Sequence, residues 1–224
     1  MDRRVYLGTL GAAVAGVTAG CLGGGSNTAL GEPDRRGGVE SADLAYPAWG
    51  EPMPDVALPD PLTGERIDLG SLDRAAFVTF FYSNCMSVCP RLVSSLREVQ
   101  IHSLDNDYAD EVGFYPITFD PERDTAERLR EYGEQMNVDR SAGNWRFLRP
   151  ESPERAETVL GEAFGFRFQR THPEDMEKYM FNHIGLVLLV NADGYVERAY
   201  RGQEGREQRY IEDLETVRTG GGFL

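Results

Sequence analysis

AAFVTFFYSNCMSVCP, residues 75–90, opens as an apolar run of β-forming side chains: Phe77, Val78, Phe80, Phe81 and Tyr82. The run breaks at Ser83-Asn84, Cys85 and Cys89 follow four residues apart, and Pro90 leads into RLVSSLREVQ, which reads as a helix. A buried strand therefore delivers two ionisable sulfurs to the first turn of a helix. Unpaired backbone N–H groups and the helix dipole favour thiolate over thiol there. Helical residues four apart share one face, separated by about 6 Å of rise. Such a pair can chelate one ion, or oxidise to a disulfide if the Cβ atoms come to about 4 Å.

Outward from this core, VGFYPITF at 112–119 is the next strand. In DPERDT at 120–125, Asp124 and Glu127 have the spacing of a capping box. Leu129, Tyr132 and Met136 give the following helix its inner face. Residues 145–148 form a short expected strand, and Ser152-Pro153 opens another helix, serine at the cap and proline in the first turn. Residues 164–180 are polar and irregular with aromatic residues, an expected excursion. A second apolar strand, 184–190, turns at NADG into 195–200, and 207–217 is the closing helix. Upstream, 56–58 and 66–69 flank PDPLTGE as a hairpin. Strands and helices alternate before a final hairpin and helix, giving an α/β class with a mixed central sheet flanked by helices and preceded by a hairpin.

Residues 1–21 read as a targeting segment, with Arg3-Arg4 a twin-arginine pair and Val5–Gly20 a Gly/Ala-rich stretch too short for a comfortable span of about 20 apolar residues. Thr18-Ala19-Gly20-Cys21 resembles a lipoprotein processing site, which makes Cys21 the expected lipidation point; ordinary cleavage and an uncleaved anchor are the alternatives. All three put the body outside the cytoplasm, on the outer face of the membrane, where disulfides persist. Residues 22–50, rich in Gly, Asp, Glu and Pro, are expected to be a flexible tether, 51–219 the folded domain and 220–224 a tail.

The chain of 224 residues carries 37 acidic against 23 basic residues, a formal net of −14. Its single lysine is Lys178. That balance argues against nucleic acid or an anionic membrane surface as partner, and it resembles proteins of high-salt environments. Three cysteines do not make a disulfide framework; with Cys21 in the leader, one pair remains.

For that pair a structural bridge, a redox dithiol and a metal site all stay open on spacing alone. A bridge over so small a loop stabilises by about 2 kcal/mol at most. Redox dithiols more commonly have two intervening residues rather than three. Two thiolates alone can hold a metal, a third soft or borderline ligand makes the case much stronger, and the chain has three histidines to supply it. His102 falls within the helix after the cysteines and reads as a surface or boundary residue; His172 sits in the polar excursion. His183 differs, lying on an expected loop that feeds the apolar strand IGLVLLV, although a lone histidine is more often structural.

Three segments, CMSVCP after FVTFFYSN, ITFDPERDT at 117–125 and NHIGLVLLVNADGYV at 182–196, resemble the Sco/SenC family over roughly Glu51 to Val217. Members of that family are membrane-tethered thioredoxin-fold proteins that bind copper and assist assembly of cytochrome oxidase. The resemblance implies a thioredoxin-like fold and one copper per chain, Cu(I) or Cu(II), held by Cys85, Cys89 and His183. It implies as partner the copper-centre subunit of a respiratory oxidase, and a membrane reached through a lipid anchor. It also implies that DPERDT supports the site. The chain departs from the family in having Met86-Ser87 between the cysteines; Met86 is expected to pack, with a soft contact to Cu(I) as the alternative. Soft thiolates favour Cu(I) and imidazole suits both copper states, while zinc is the competing metal. Delivery of copper and reduction of the partner's cysteines are both compatible with these residues. A metal-independent thiol-disulfide oxidoreductase is the alternative reading, and a thiol peroxidase a weaker one.

Overall fold

The structure is a computed structural model that describes residues 27–33, 41–174, 176–202 and 207–220. The hairpin β1 (Ala57–Pro59) and β2 (Arg66–Asp68) pairs Leu58 with Ile67. The strand β3 (Ala75–Phe81) follows, and all seven of its residues are buried. Its register explains why. It pairs in parallel with β4 (Val112–Thr118) on one side and antiparallel with β7 (Leu186–Val190) on the other. A strand with neighbours on both edges and helices over its faces has no polar face to present, so it reads as continuous apolar sequence. β7 in turn pairs with β8 (Val196–Arg201), and the sheet order is β4-β3-β7-β8.

The helix α1 (Val88–Asp105) crosses from β3 to β4 and buries Leu92, Val93, Leu96 and Val99. α2 (Ala126–Gln135) buries Leu129 and Tyr132 as its periodicity predicts. α3 (Pro153–Ala156) is capped by Ser152, whose side chain accepts from the Arg155 N–H, and runs on into a π-helical stretch to Ala163. α4 (Glu207–Arg218) packs Tyr210 against Phe77 of β3.

Four expectations need correction. Residues 164–180 are not merely an irregular excursion. They contain β5 (Phe168–Thr171), which pairs antiparallel with β6 (Met180–His183), and the fully buried Phe164 and Phe166 pack on Phe80. Polar side chains on the exposed face of a two-stranded hairpin hide its alternation from a hydropathy reading. Residues 145–148 contribute isolated bridges, Trp145 to Phe114 and Leu148 to Ile117, rather than a strand. The cap of α2 is Thr125, which accepts from the Arg128 N–H, and Asp124 faces inward instead.

The described part of 22–50 is not a free tether. Leu30 and Tyr46 join the core, and the buried Glu197 of β8 accepts the backbone N–H groups of Ala29 and Leu30, both at 2.8 Å. The Trp49 indole donates to the Leu30 carbonyl at 2.8 Å. A few apolar residues and one buried carboxylate order a segment whose composition is otherwise that of a linker. Cys21 and the rest of 1–26 lie outside the described residues. Among those described, no helix is long and apolar enough to cross a membrane.

Candidate metal centre

β3 ends at Phe81, and the chain turns through Tyr82–Ser87 into α1, with the Cys85 N–H donating to the Tyr82 carbonyl at 3.1 Å. Ser87 stands at the helix N-cap but places no side chain on the orphan N–H groups. Cys85 Sγ accepts from the Cys89 N–H instead, at 3.5 Å. A sulfur thus does the work of a cap, and an anion is favoured at that position. Pro90 follows in the first helical turn, where a missing N–H is tolerated. Both sulfurs are free thiols, Cys85 nearly and Cys89 fully buried.

The third donor arrives from a segment more than 90 residues further along the chain. His183 is the last residue of β6, paired with Phe168, and not a loop residue. Its Nε2 lies 3.8 Å from Cys85 Sγ and 3.7 Å from Cys89 Sγ. Nδ1 is 3.0 Å from the Ile184 carbonyl. A carbonyl only accepts, so Nδ1 carries the proton and the Nε2 lone pair faces the sulfurs. The imidazole is packed by Phe119 at 5.0 Å and Tyr82 at 5.9 Å between ring centroids. Two residues after it, Gly185 lies so close to α1 and to Gly202 that a Cβ would come within 2.8 Å of Val88 Cγ2 and 2.6 Å of the Gly202 carbonyl oxygen.

The three donor atoms all lie within 4.8 Å of one another, and theirs is the cluster of His, Cys, Asp and Glu able to hold an ion among the described residues. Thiolate sulfur about 2.3 Å and imidazole nitrogen about 2.1 Å from a shared centre are about 3.8 Å apart in a trigonal plane. The observed separations from Nε2 match that figure, and a soft or borderline ion suits this donor set. His102 is elsewhere, 2.6 Å from the Tyr108 hydroxyl, and His172 is exposed beside Tyr179.

Electrostatically the sulfurs split one proton between them. Hydrogen bonds from the Cys89 thiol and from the Cys89 and Ser87 N–H groups hold the Cys85 thiol at about 3, and burial together with Cys85 pushes Cys89 well up. The resting pair is a Cys85 thiolate beside a Cys89 thiol. Burial and the neighbouring Cys85 raise the Tyr82 phenol to about 12, so Tyr82 stays neutral.

Residues 120–128 hold both halves of this site. The buried Asp124 carboxylate accepts from the Ser83 N–H at 3.1 Å and hydroxyl at 2.5 Å, and also from the Thr118 hydroxyl. Arg128 donates to Ser83 Oγ at 2.9 Å and to its carbonyl at 3.1 Å. These bonds fix the loop two residues before Cys85. On the histidine side, Asp120 accepts from the Tyr179 hydroxyl at 2.7 Å and from the Arg123 guanidinium. Arg123 donates to the Tyr179 carbonyl at 2.9 Å and stacks over its ring at 3.7 Å. Arg170 of β5 pairs with Glu122 at 2.6 Å. Residue reading by itself finds only a strand end and a cap in this segment; the family resemblance implied that DPERDT, with Asp120, Arg123 and Asp124, supports the site, and neither reading found Arg128 or Tyr179. The available signal was a surplus of charge: two aspartates and two arginines within nine residues exceed what a cap needs.

The SCO1/SenC family profile matches residues 64–219. An SCO2-like protein of Rickettsia conorii is 24% identical over 134 residues, 59% of this chain and 61% of the relative. The chain thus spans about three fifths of the length of the curated relatives it matches. Among solved structures, copper-bound ScoI of Bradyrhizobium japonicum superposes with a TM-score of 0.60 at 22% identity, over 74% of this chain and 98% of that one. BsSco, described as carrying a disulfide switch and as a member of the Sco family of cytochrome c oxidase assembly proteins, gives 0.58 at 22% identity, over 79% and 95%. The fold is thioredoxin-like, with a mixed central sheet and flanking helices.

Proposed function

As this chain belongs to the SCO1/SenC family, we propose that it is an extracytoplasmic copper chaperone for a respiratory oxidase. Cys85, Cys89 and His183 would hold one copper, Cu(I) or Cu(II). The protein would deliver it to, or reduce the cysteines of, the dinuclear copper site of an oxidase subunit. The observation that carries this reading is the convergence of two sulfurs and one imidazole lone pair from segments far apart in sequence. Soft thiolates with a borderline nitrogen suit copper through a change of oxidation state. Three protein donors leave coordination unsaturated, as a carrier that must release its cargo requires. The relatives described as copper-bound and as oxidase assembly proteins support the assignment. Arg3-Arg4 and the Thr18–Cys21 segment support export and lipid anchoring at Cys21 on the outer face of the cytoplasmic membrane. The acidic, lysine-poor composition supports a high-salt setting.

Anaerobic copper titration of the reduced protein tests the reading. One copper per chain is expected, with binding lost or severely weakened in Cys85→Ser, Cys89→Ser and His183→Ala. Full affinity in the Cys85→Ser variant would sink it.

A second reading, a thiol-disulfide oxidoreductase needing no metal, is favoured by one feature: a stabilised Cys85 thiolate beside a protonated, buried Cys89. It requires that metal-free protein reduce a disulfide substrate and that His183→Ala leave turnover intact.

A further inference from the structure

We propose that Met86 is a transient soft donor through which Cu(I) enters and leaves the site, an inference that rests on the copper reading above. Met86 does not pack. It is 72% exposed, and with Ile184 at 37% it makes up the exposed large hydrophobic residues among those described. Leaving a methionine in water forgoes about 1.5–3 kcal/mol of burial, at a position one peptide bond from Cys85.

The surroundings explain why a donor is useful there. Inside, the site is closed: Cys89 is fully buried, and Phe119 and Tyr82 pack the His183 ring. Cargo must therefore exchange across the solvent rim, where the loop supplies Asn84, Met86 and Ser87. Ser87 Oγ lies 3.7 Å from Cys85 Sγ, but hydroxyl and amide oxygens are poor ligands for Cu(I). Met86 alone of the three carries a soft atom, on an unbranched side chain with three rotatable bonds. On the other flank, a cleft of about 650 Å³ beside His183 and Ile184 leaves the nitrogen ligand the more accessible one to displace.

The step is ligand exchange. A Cu–S bond to the Met86 thioether forms as the Cu–N bond to His183 breaks. Copper stays Cu(I) and no electron moves. The acceptor's thiolates then replace Cys85 and Cys89, and water returns to the site the proton that loading released.

Met86→Leu keeps size and apolarity and removes the sulfur, so it separates a donor from a docking contact. Wild type, Met86→Leu, Met86→Gln and Ile184→Ala are loaded with Cu(I) anaerobically, and transfer to the chelator bicinchoninate is followed by stopped flow alongside equilibrium competition. Transfer slowed about five- to tenfold in both Met86 variants, with affinity within threefold of wild type and Ile184→Ala near wild type, is the expected result. Wild-type rates in Met86→Leu overturn the inference, and so does a loss of affinity beyond tenfold, which would make Met86 a resident ligand. Failure of wild type itself to take up Cu(I) instead overturns the copper reading.

Discussion

The Ser83 hydroxyl donates to Asp124 Oδ1 at 2.5 Å, with both residues buried. A carboxylate at the threshold of α2 thereby fixes the loop that carries Cys85. From the same segment Asp120 and Arg123 grip Tyr179, the residue before β6, whose last residue is His183. Two ligand-bearing elements distant in sequence share one brace.

Removing the brace on the cysteine side strands polar groups. Asp124→Ala leaves the Ser83 N–H and hydroxyl and the Thr118 hydroxyl without their buried acceptor, at a cost on the order of 2–4 kcal/mol. A lower urea midpoint with an unchanged m-value is expected, together with weaker copper binding. A midpoint equal to wild type would contradict the role.

The same carboxylate makes stability depend on pH. Burial, outweighing the bonds from Ser83 and Thr118, raises Asp124 from 3.8 to about 6. The folded protein holds this proton to higher pH than the unfolded chain. The associated stability is complete below about 3.8 and is lost as pH rises through about 6, on the order of 3 kcal/mol at about 1.4 per unit. Asp124→Asn does not titrate. Urea denaturation of both proteins between pH 3.5 and 7 should show wild type losing ground to the variant over that window; a constant difference refutes it.

On the histidine side, Arg123→Ala removes the bond to the Tyr179 carbonyl, the contact with Asp120 and the stacking over Tyr179. Global stability should fall by about 1–2 kcal/mol. Copper release to a chelator should accelerate about tenfold as the β5–β6 hairpin loosens, while alkylation of the metal-free cysteines stays unchanged. Release at the wild-type rate would leave the hairpin brace without function.

Glu197 offers a separate test of the docked N-terminal segment. Its carboxylate takes the N–H groups of Ala29 and Leu30 and the Asn191 amide at 2.7 Å. Glu197→Ala should release residues 27–33, seen as loss of hydrogen-exchange protection at Ala29 and Leu30 and new protease cleavage there. Retained protection would show that Leu30 and Trp49 hold the segment unaided.

Residue pattern alone delivered the architecture near the cysteines. The seven buried residues of β3 form an unbroken apolar run, the helix after Pro90 has helical spacing, and the β7–β8 hairpin is marked by Asn191–Gly194. β5–β6 escaped notice because its strands are short and half exposed, so no alternation rises above the polar background. Asp124 reads as a cap in sequence because an aspartate beside a helix start fits a cap as readily as a buried acceptor. Only the fold puts Thr125 at that cap.

Two sulfurs at the mouth of one helix were written into the primary structure, since Cys85 in the turn before α1 and Cys89 in its first turn are neighbours along the chain. That His183 meets them was not, because its place before an apolar strand sets it apart from His102 and His172 but fits a structural role as well, and only the family resemblance implied it as a ligand. Tertiary structure decided it: β7 runs antiparallel to β3, so its first residues and the His183 just before them lie at the end of the sheet where β3 hands over to α1, and Gly185 lets the chain pass close enough to Val88. A contact between residues 94 positions apart exists only once that sheet has formed.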